Sequence, residues 1–536
     1  MKNVYVCRLK PYIQPFEKNL ALAELSMIAC SRPRPIQSTI NNTLDYEVKT
    51  DVSVVRLATQ LSYWECVSNG KTFITTQVLR EATVNVVRNG VPLEDLPQLL
   101  PFNGKVPLPN RRCLRYGTHG IHEYRGKFFP QLVRSLINMS GVSPKGIIAD
   151  PMCGSGTTLV ETILSNRKAI GLDMNPLSVL MTSVKCNMLS IDPKIIVRIY
   201  KDVRNKLVDL RPARSTNSIE YFTTLPISDQ EYLRKWFSEQ VIIDLDQIMQ
   251  IILSVKNKHV QDFFKIVLSN IIRRVSWQKI DDLRVRKEVR LDAEIDPVRE
   301  FLEELGRSIR TVLAFLYQNS SAKIEIFEVS EGDARDSAIE WRKHTGKVDS
   351  VITSPPYATA LPYLDTDRLT LYYLGLMSRP THRKRDLLMI GNREITDKDF
   401  KYYHHLFHDN KDLLPTSVVK LIDKIERLNS KADVGFRRKN LPVLLAKYFL
   451  DMRDVFEHMT KLLKSKAPAY VVIGNNHTIA GGQRVEIETA KHLIEIAEAA
   501  GLKYQDQIPM EMLVSRDIFR KNAVASEVIL SFHRGN

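Results

Sequence analysis

The segments Asp150-Pro151-Met152-Cys153-Gly154-Ser155-Gly156-Thr157-Thr158 and Thr353-Ser354-Pro355-Pro356-Tyr357 hold the residue types with which this sequence can do chemistry. In the first, Gly154 and Gly156 let the backbone come close to a ligand, since neither has a Cβ to obstruct it. A helix starting at Thr157 and Thr158 would offer free N–H groups at its N-terminus. The run is not GxGxxG, and no Lys follows it as a P-loop requires. A ligand with a cationic centre and a carboxylate therefore fits better than a dinucleotide or a triphosphate. Asp173, followed by Met174, ends the next apolar run, where an acidic side chain meets ribose hydroxyls in folds of this kind. Asp333 and Ala334 follow a third run, and Asp333 is placed to accept a hydrogen bond from an adenine amino group. A lone Gly-x-Gly turn is usually structural, but three such signals in order point to a nucleoside ligand.

In the second segment, Pro355 and Pro356 fix φ and withhold two N–H donors, so the turn presents its carbonyl oxygens rigidly. Ser354, the Pro355 carbonyl and the Tyr357 ring together suit a planar ring bearing an NH2 group. Ser354 and the carbonyl would hold the amine, and Tyr357 would stack on the ring. An exocyclic amine delocalises its lone pair and is a poor nucleophile. Hydrogen bonds that bend it out of plane localise that pair for in-line attack on a sulfonium methyl, and positioning supplies most of the rate. No cysteine nucleophile is needed, and none sits in the turn.

Elements that could hold these turns can be read along the chain. Residues 146–150 and 169–173 are short apolar runs, each followed by a helical stretch, the first over 157–164. This strand–turn–helix rhythm predicts a parallel α/β sheet of Rossmann-like type. Strands resume at 324–329, 348–353, 469–473 and 528–532. The sheet is interrupted by a helical insertion over 192–322 and by a basic, loop-rich insertion over 376–443. The sheet domain then comprises 101–191 (with a proline-rich linker over 91–109), 323–375 and 444–536. Residues 1–100 read as an N-terminal α+β domain, with strands at 4–9, 52–57 and 72–77 and a helix at 20–29.

The 536 residues carry 77 Lys+Arg against 61 Asp+Glu, a formal charge of +16. This excess favours a polyanionic partner. Arg273 and Arg274 could line a nucleic-acid cleft, as could the cations of residues 279–290. Arg383, Lys384 and Arg385, with Arg437 and Arg438, are stronger candidates because aromatic or His side chains accompany them. Six cysteines lie far apart without CxxC pairing, which argues against zinc or disulfides and for a reducing, cytoplasmic setting. Asp365 and Asp367 find no further residues at ligand spacing, so no metal site is expected. No signal peptide and no bilayer-spanning run is legible.

Together the two turns resemble those of the amino-group DNA methyltransferases, the N4-cytosine/N6-adenine family. The segment His119–Pro130, including Phe128, resembles the family stretch that closes over the methionine end of the cofactor, and residues 171–176 resemble its ribose-binding turn. The resemblance implies S-adenosyl-L-methionine as cofactor. It also implies DNA as substrate, a base flipped from the duplex, and a cognate restriction or defence-system nuclease as partner. Serine before the two prolines is typical of the N4-cytosine members. The residues 4–28 and 54–65 are similar to the N-terminal region of guanine-N2 tRNA methyltransferases, which usually carry Asp before the prolines. A tRNA methyltransferase is therefore the second reading, and a non-catalytic cofactor-binding protein the third.

Overall fold

The computed structural model describes residues 2–36, 45–124, 126, 128–210, 219–279, 286–289, 295–320, 324–358, 363–431, 433–511 and 526–536. The N-terminal strands are β1 (Asn3–Leu9), β2 (Arg34–Pro35), β3 (Asp45–Thr50), β4 (Trp64–Ser68) and β5 (Thr72–Ile74). They form an antiparallel sheet in the order β2-β3-β1-β4-β5. Alternation in β1 turns Tyr5, Cys7 and Leu9 inward. The strand expected over 52–57 is instead the helix Val54–Gln60, because Ser53 caps it by accepting the Arg56 N–H at 3.3 Å. The strand expected over 72–77 ends at Ile74, where Thr75 accepts the Val78 N–H and opens the helix Thr76–Arg88. In both places β-branched residues read as strand, and the hydroxyl cap decided for helix.

The remaining strands are β6 (Ile147–Asp150), β7 (Lys168–Asp173), β8 (Phe327–Glu331), β9 (Ser350–Thr353), β10 (Pro468–Gly474), β11 (Asn476–Ala480), β12 (Gln483–Ile487), β13 (Leu502–Glu511) and β14 (Ser526–Arg534). Strands β11 and β12 pair as a separate hairpin. The others form a seven-stranded sheet in the order β13-β14-β10-β9-β6-β7-β8. All run parallel except β14, which is antiparallel to β10 and β13. This is the Rossmann-like α/β sheet that the strand–turn–helix rhythm predicts. Chain order reverses between β6 and β9, and ligands of open α/β sheets bind at the carboxyl ends of strands beside such a reversal. Strand β8 begins at Phe327, later than the expected 324, and its Glu331 pairs with Asp173.

Successive strand residues face opposite layers. Ile148, Ile352, Val472 and Ile529 pack against the helix Pro130–Met139 and against Tyr5, Leu20, Leu25 and Trp64 of the N-terminal unit. That unit thus shares a core with the sheet. Ala149, Val351, Val471 and Leu530 face the long helix Phe436–Leu462 and the helix Thr489–Ala499. The first insertion is helical, as expected: Pro193–Leu210, Glu239–Leu253, Lys258–Val275 and Pro297–Gln318 bury a core of their own against Leu177 and Met181. The second is also helical, which corrects the loop expectation. It comprises Arg379–Leu388, Asp397–Asp409, Thr416–Ser430 and the start of Phe436–Leu462. Val418, Ile422 and Ile425 are buried at helical spacing there. Among the described residues no helix is long and apolar enough to cross a membrane.

A buried charge cluster ties the layers together. Glu161 accepts Tyr116 Oη at 2.6 Å, lies 2.8 Å from His119 Nε2 and receives Arg134 Nη1 at 3.4 Å. Arg134 also donates to the carbonyls of Thr59 (2.6 Å) and Gln60 (3.2 Å) in the N-terminal unit. Burial alone would push the Glu161 carboxyl up, but His119, Arg134 and Arg80 hold it down to about 2. A depressed folded-state value means the contribution is fully present above the usual 4.5 and is lost as pH falls toward about 2. Glu161→Ala leaves buried cations unpaired and should cost roughly 3–5 kcal/mol, read as a lower urea midpoint at neutral pH.

Candidate active site

Strand β6 ends at Asp150, which is buried with its carboxylate turned across the strand reversal. Its Oδ1 accepts the Thr353 hydroxyl at 2.7 Å and the Met152 N–H at 3.2 Å. The two turns singled out by the sequence are therefore joined directly. Burial pushes Asp150 up to about 6, against the hydrogen bonds of Thr158, Thr353 and Met152, which hold it down. The fold favours the protonated form, so the stability from this group is greatest below 3.8 and is lost as pH rises through about 6.

The glycine turn closes against β7. Gly154 N–H donates to Asp173 Oδ2 at 2.8 Å, and Asn175 N–H donates to Asp173 Oδ1 at 2.8 Å. Burial nevertheless pushes Asp173 up to about 6. Gly156 sits at φ +76°, and a Cβ there would come within 2.6 Å of Thr182 Oγ1. That position requires glycine both for its backbone angle and for its neighbour. The helix Thr157–Leu164 starts immediately after it.

Past these strand ends lies a partly open cavity. Of the residues expected at a cofactor, Asp150, Pro151, Cys153, Gly154, Thr157, Asp173, Met174, Ala334 and Phe128 line it. Ser354 and Pro356 line it too, so both turns face one space. The sequence reading missed Tyr124, Asn175, Met389 and Ile390, which complete the wall. Tyr124 lies within the His119–Pro130 segment, and its aromatic character was the available signal. Met389 and Ile390 belong to the second insertion and carried none.

Gly156, Thr158, Asp333, Pro355 and Tyr357 do not line it, and the side chains of several expected residues have partners within the fold. His119 is buried against Glu161 and Tyr116 and is not among the lining residues. The Asp333 carboxylate is held by Arg335, which also donates to Asp451 Oδ1 at 2.7 Å. Thr158 donates to the Ile352 carbonyl at 3.5 Å. Ser354 Oγ donates to the Val472 carbonyl at 3.1 Å, and the Tyr357 hydroxyl is bonded to Glu527 on β14. Burial pushes the Glu527 carboxyl up, and the bond from Tyr357 opposes it.

The basic residues divide. Arg274 is ion-paired with Glu300 (3.2 Å) and Glu304 (3.3 Å), and Arg273 donates to the Lys279 carbonyl at 3.0 Å. Arg385 pairs with Glu331 and donates to the Met174 carbonyl at 3.2 Å. Arg383, Lys384, Arg437 and Arg438 are exposed. Of the basic stretch 279–290, residues 280–285 and 290 lie outside the described residues. Asp365 pairs with Arg368.

Comparison with known proteins agrees with this geometry. A family described as "UPF0020: RMKL-like, methyltransferase domain" matches residues 122–197, which include the glycine turn and β7. The chain is 26% identical over 373 residues to the Type II methyltransferase M.MvaI of Kocuria varians, covering 67% of this chain and 77% of that one. It is 23% identical over 439 residues to the Type II methyltransferase M.BsoBI of Geobacillus stearothermophilus, covering 74% and 81%. A shorter match, 38% identical over 52 residues, is to the tRNA (guanine(10)-N2)-dimethyltransferase of Methanothermobacter thermautotrophicus, 10% of this chain and 16% of that one. Over residues 122–197 the chain is thus similar to a methyltransferase domain.

Thr353→Val removes the donor to a buried carboxylate without changing side-chain shape and should cost about 1–3 kcal/mol of stability. The urea midpoint of Thr353→Ser should stay near that of the wild type.

Proposed function

We propose that the protein methylates an exocyclic amino group of a base in DNA, cytosine N4 first, using S-adenosyl-L-methionine. The observation that carries the reading is the shared cavity: Ser354 and Pro356 line the same space as Gly154 and Asp173. Its lining combines apolar walls with few polar groups, as small-molecule sites do. Its residues fit the cofactor. Asp173 would accept from the ribose hydroxyls, the Gly154 turn would approach the methionine portion, and Phe128, Met174 and Ala334 would cover apolar surface. When bound, S-adenosyl-L-methionine supplies an electrophilic methyl on a sulfonium.

The chain's own groups would prepare the amine. The single Ser354 proton is committed to the Val472 carbonyl, so its oxygen faces the cavity as an acceptor. With the rigid Pro355 carbonyl it can hold both N–H bonds of an amino group and turn its lone pair out of the ring plane. Tyr357 would stack on the extruded base, its ring anchored through the hydroxyl by Glu527. The relatives named Type II methyltransferases, similar over most of their length, support DNA as the substrate.

Grip on phosphate would come from the second insertion. Arg437, Arg438 and Lys439 occupy the first turn of the helix Phe436–Leu462, where the helix dipole disfavours cations by roughly 0.3–1 kcal/mol each. They are exposed beside the exposed Phe436, a combination suited to an external polyanion and its bases. Arg383 and Lys384 would add to the same footprint. The tRNA reading rests on the short guanine-N2 match.

Incubation with labelled cofactor should label plasmid DNA and leave bulk tRNA unlabelled; label only in tRNA would overturn the DNA reading. Ser354→Ala should lower transfer about 10²-fold or more with cofactor affinity retained. A carboxylate that must accept two hydroxyls is weakened by protonation, so cofactor affinity measured by calorimetry should fall as pH drops through about 6. Asp173→Asn should bind more weakly and lose that pH dependence.

A further inference from the structure

The helices Asp397–Asp409 and Thr416–Ser430 of the second insertion meet at three side chains that methyl transfer does not use. His404 and His408, four apart, share one face of the first helix, and their Nε2 atoms lie 3.2 Å apart. Glu426 Oε1, from the second helix, lies 3.3 Å from His404 Nε2. All three ligand atoms fall within 4.8 Å of one another.

From this cluster we infer a binding site for one divalent transition-metal ion, zinc by ligand type, that clips the two helices together. Two imidazole nitrogens facing each other at 3.2 Å share at most one proton, and two charged rings would repel. A common cation satisfies both lone pairs. Metal–nitrogen bonds of about 2.0–2.1 Å in tetrahedral geometry place neighbouring ligand atoms about 3.3 Å apart, which is the spacing seen on both measured edges. Two imidazoles with one carboxylate suit zinc and leave a fourth position for water.

The surroundings support a clip. Phe400 stacks on His404 with ring centroids 5.9 Å apart, and Phe407 meets His408 edge-on at 5.4 Å, which fixes the ring directions. Lys411, the nearby cation, is paired with Asp423 at 3.0 Å. Phe407 is the one buried side chain of the helix Asp397–Asp409, and Phe400 and Tyr403 are half-buried against Val443 and Leu444. A metal bond to Glu426 would add a second anchor, toward the helix Thr416–Ser430.

The test strips the full-length protein with a chelator, titrates it with zinc chloride, and counts bound metal by mass spectrometry. Wild type should bind one ion per chain, and cobalt should give the absorption bands of a tetrahedral site. His408→Ala and Glu426→Gln should lose the ion, while His405→Ala, an exposed neighbour on the same helix, should keep it. Backbone hydrogen exchange over 397–409 should slow when zinc is added to wild type and stay unchanged in His408→Ala. No zinc bound by wild type, or equal binding by His408→Ala, would overturn the site. Binding without slowed exchange would overturn the clip.

Discussion

The two chemically equipped turns meet because β9 runs beside β6, and that ladder is short. It pairs Ile148 with Ser350 and Ala149 with Val351, then stops. Beyond it the two segments are joined by the bond from Thr353 to Asp150 and by that from Thr158 to the Ile352 carbonyl. A carboxylate at such a depth is costly unless its lone pairs are filled. Here a threonine hydroxyl from one turn and a backbone N–H from the other fill them. The same groups that make Asp150 tolerable set the distance between the glycine turn and Ser354. Asp173 repeats the device one strand over, where the N–H groups of Gly154 and Asn175 fix the turn from the other side.

The second insertion belongs to this geometry as well. Met389 and Ile390 line the cavity, and Gly391 passes so close to the Ser354–Tyr357 turn that a Cβ would lie 2.7 Å from the Tyr357 carbonyl. Its φ of +75° lets the chain turn away at that point. Arg385 reaches back to Glu331 and the Met174 carbonyl, and Arg335 donates to the Leu388 carbonyl at 3.0 Å. The cavity wall, the Ser354–Tyr357 turn and the insertion are therefore one packed unit.

Six of the seven strands were legible as short apolar runs before polar turns, the kind that a parallel sheet buries. Strand β13, with Lys503, Gln505, Asp506 and Gln507, was not. The glycine turn was legible for the same reason: residue type alone states what Gly154 and Gly156 permit. What stayed hidden depended on partners distant in sequence. Nothing local says that Thr353 will meet Asp150, that His119 will be spent on Glu161, or that Arg335 will reach Asp451. The second insertion was misread because its cations and histidines masked the spacing of Val418, Ile422 and Ile425. Once 397–409 is helical, His404 and His408 fall on one face; read as a loop, their spacing carried no meaning.

Net charge proved a coarser guide than the allocation of individual cations. A formal +16 counts Arg134, Arg274, Arg335 and Arg385 equally with Arg383, Lys384, Arg437 and Arg438. The first group is paired with carboxylates, and for Arg134 and Arg335 the pairs are largely buried. Desolvation makes those two buried pairs expensive to break, so they hold layers together. The second group is exposed, and Arg437 and Arg438 stand at a helix start where the dipole opposes them. Cations placed against local stability, beside an exposed aromatic ring, suit the polyanionic partner proposed above. The proposed nucleic-acid face therefore rests on the second insertion and not on the charge of the protein as a whole.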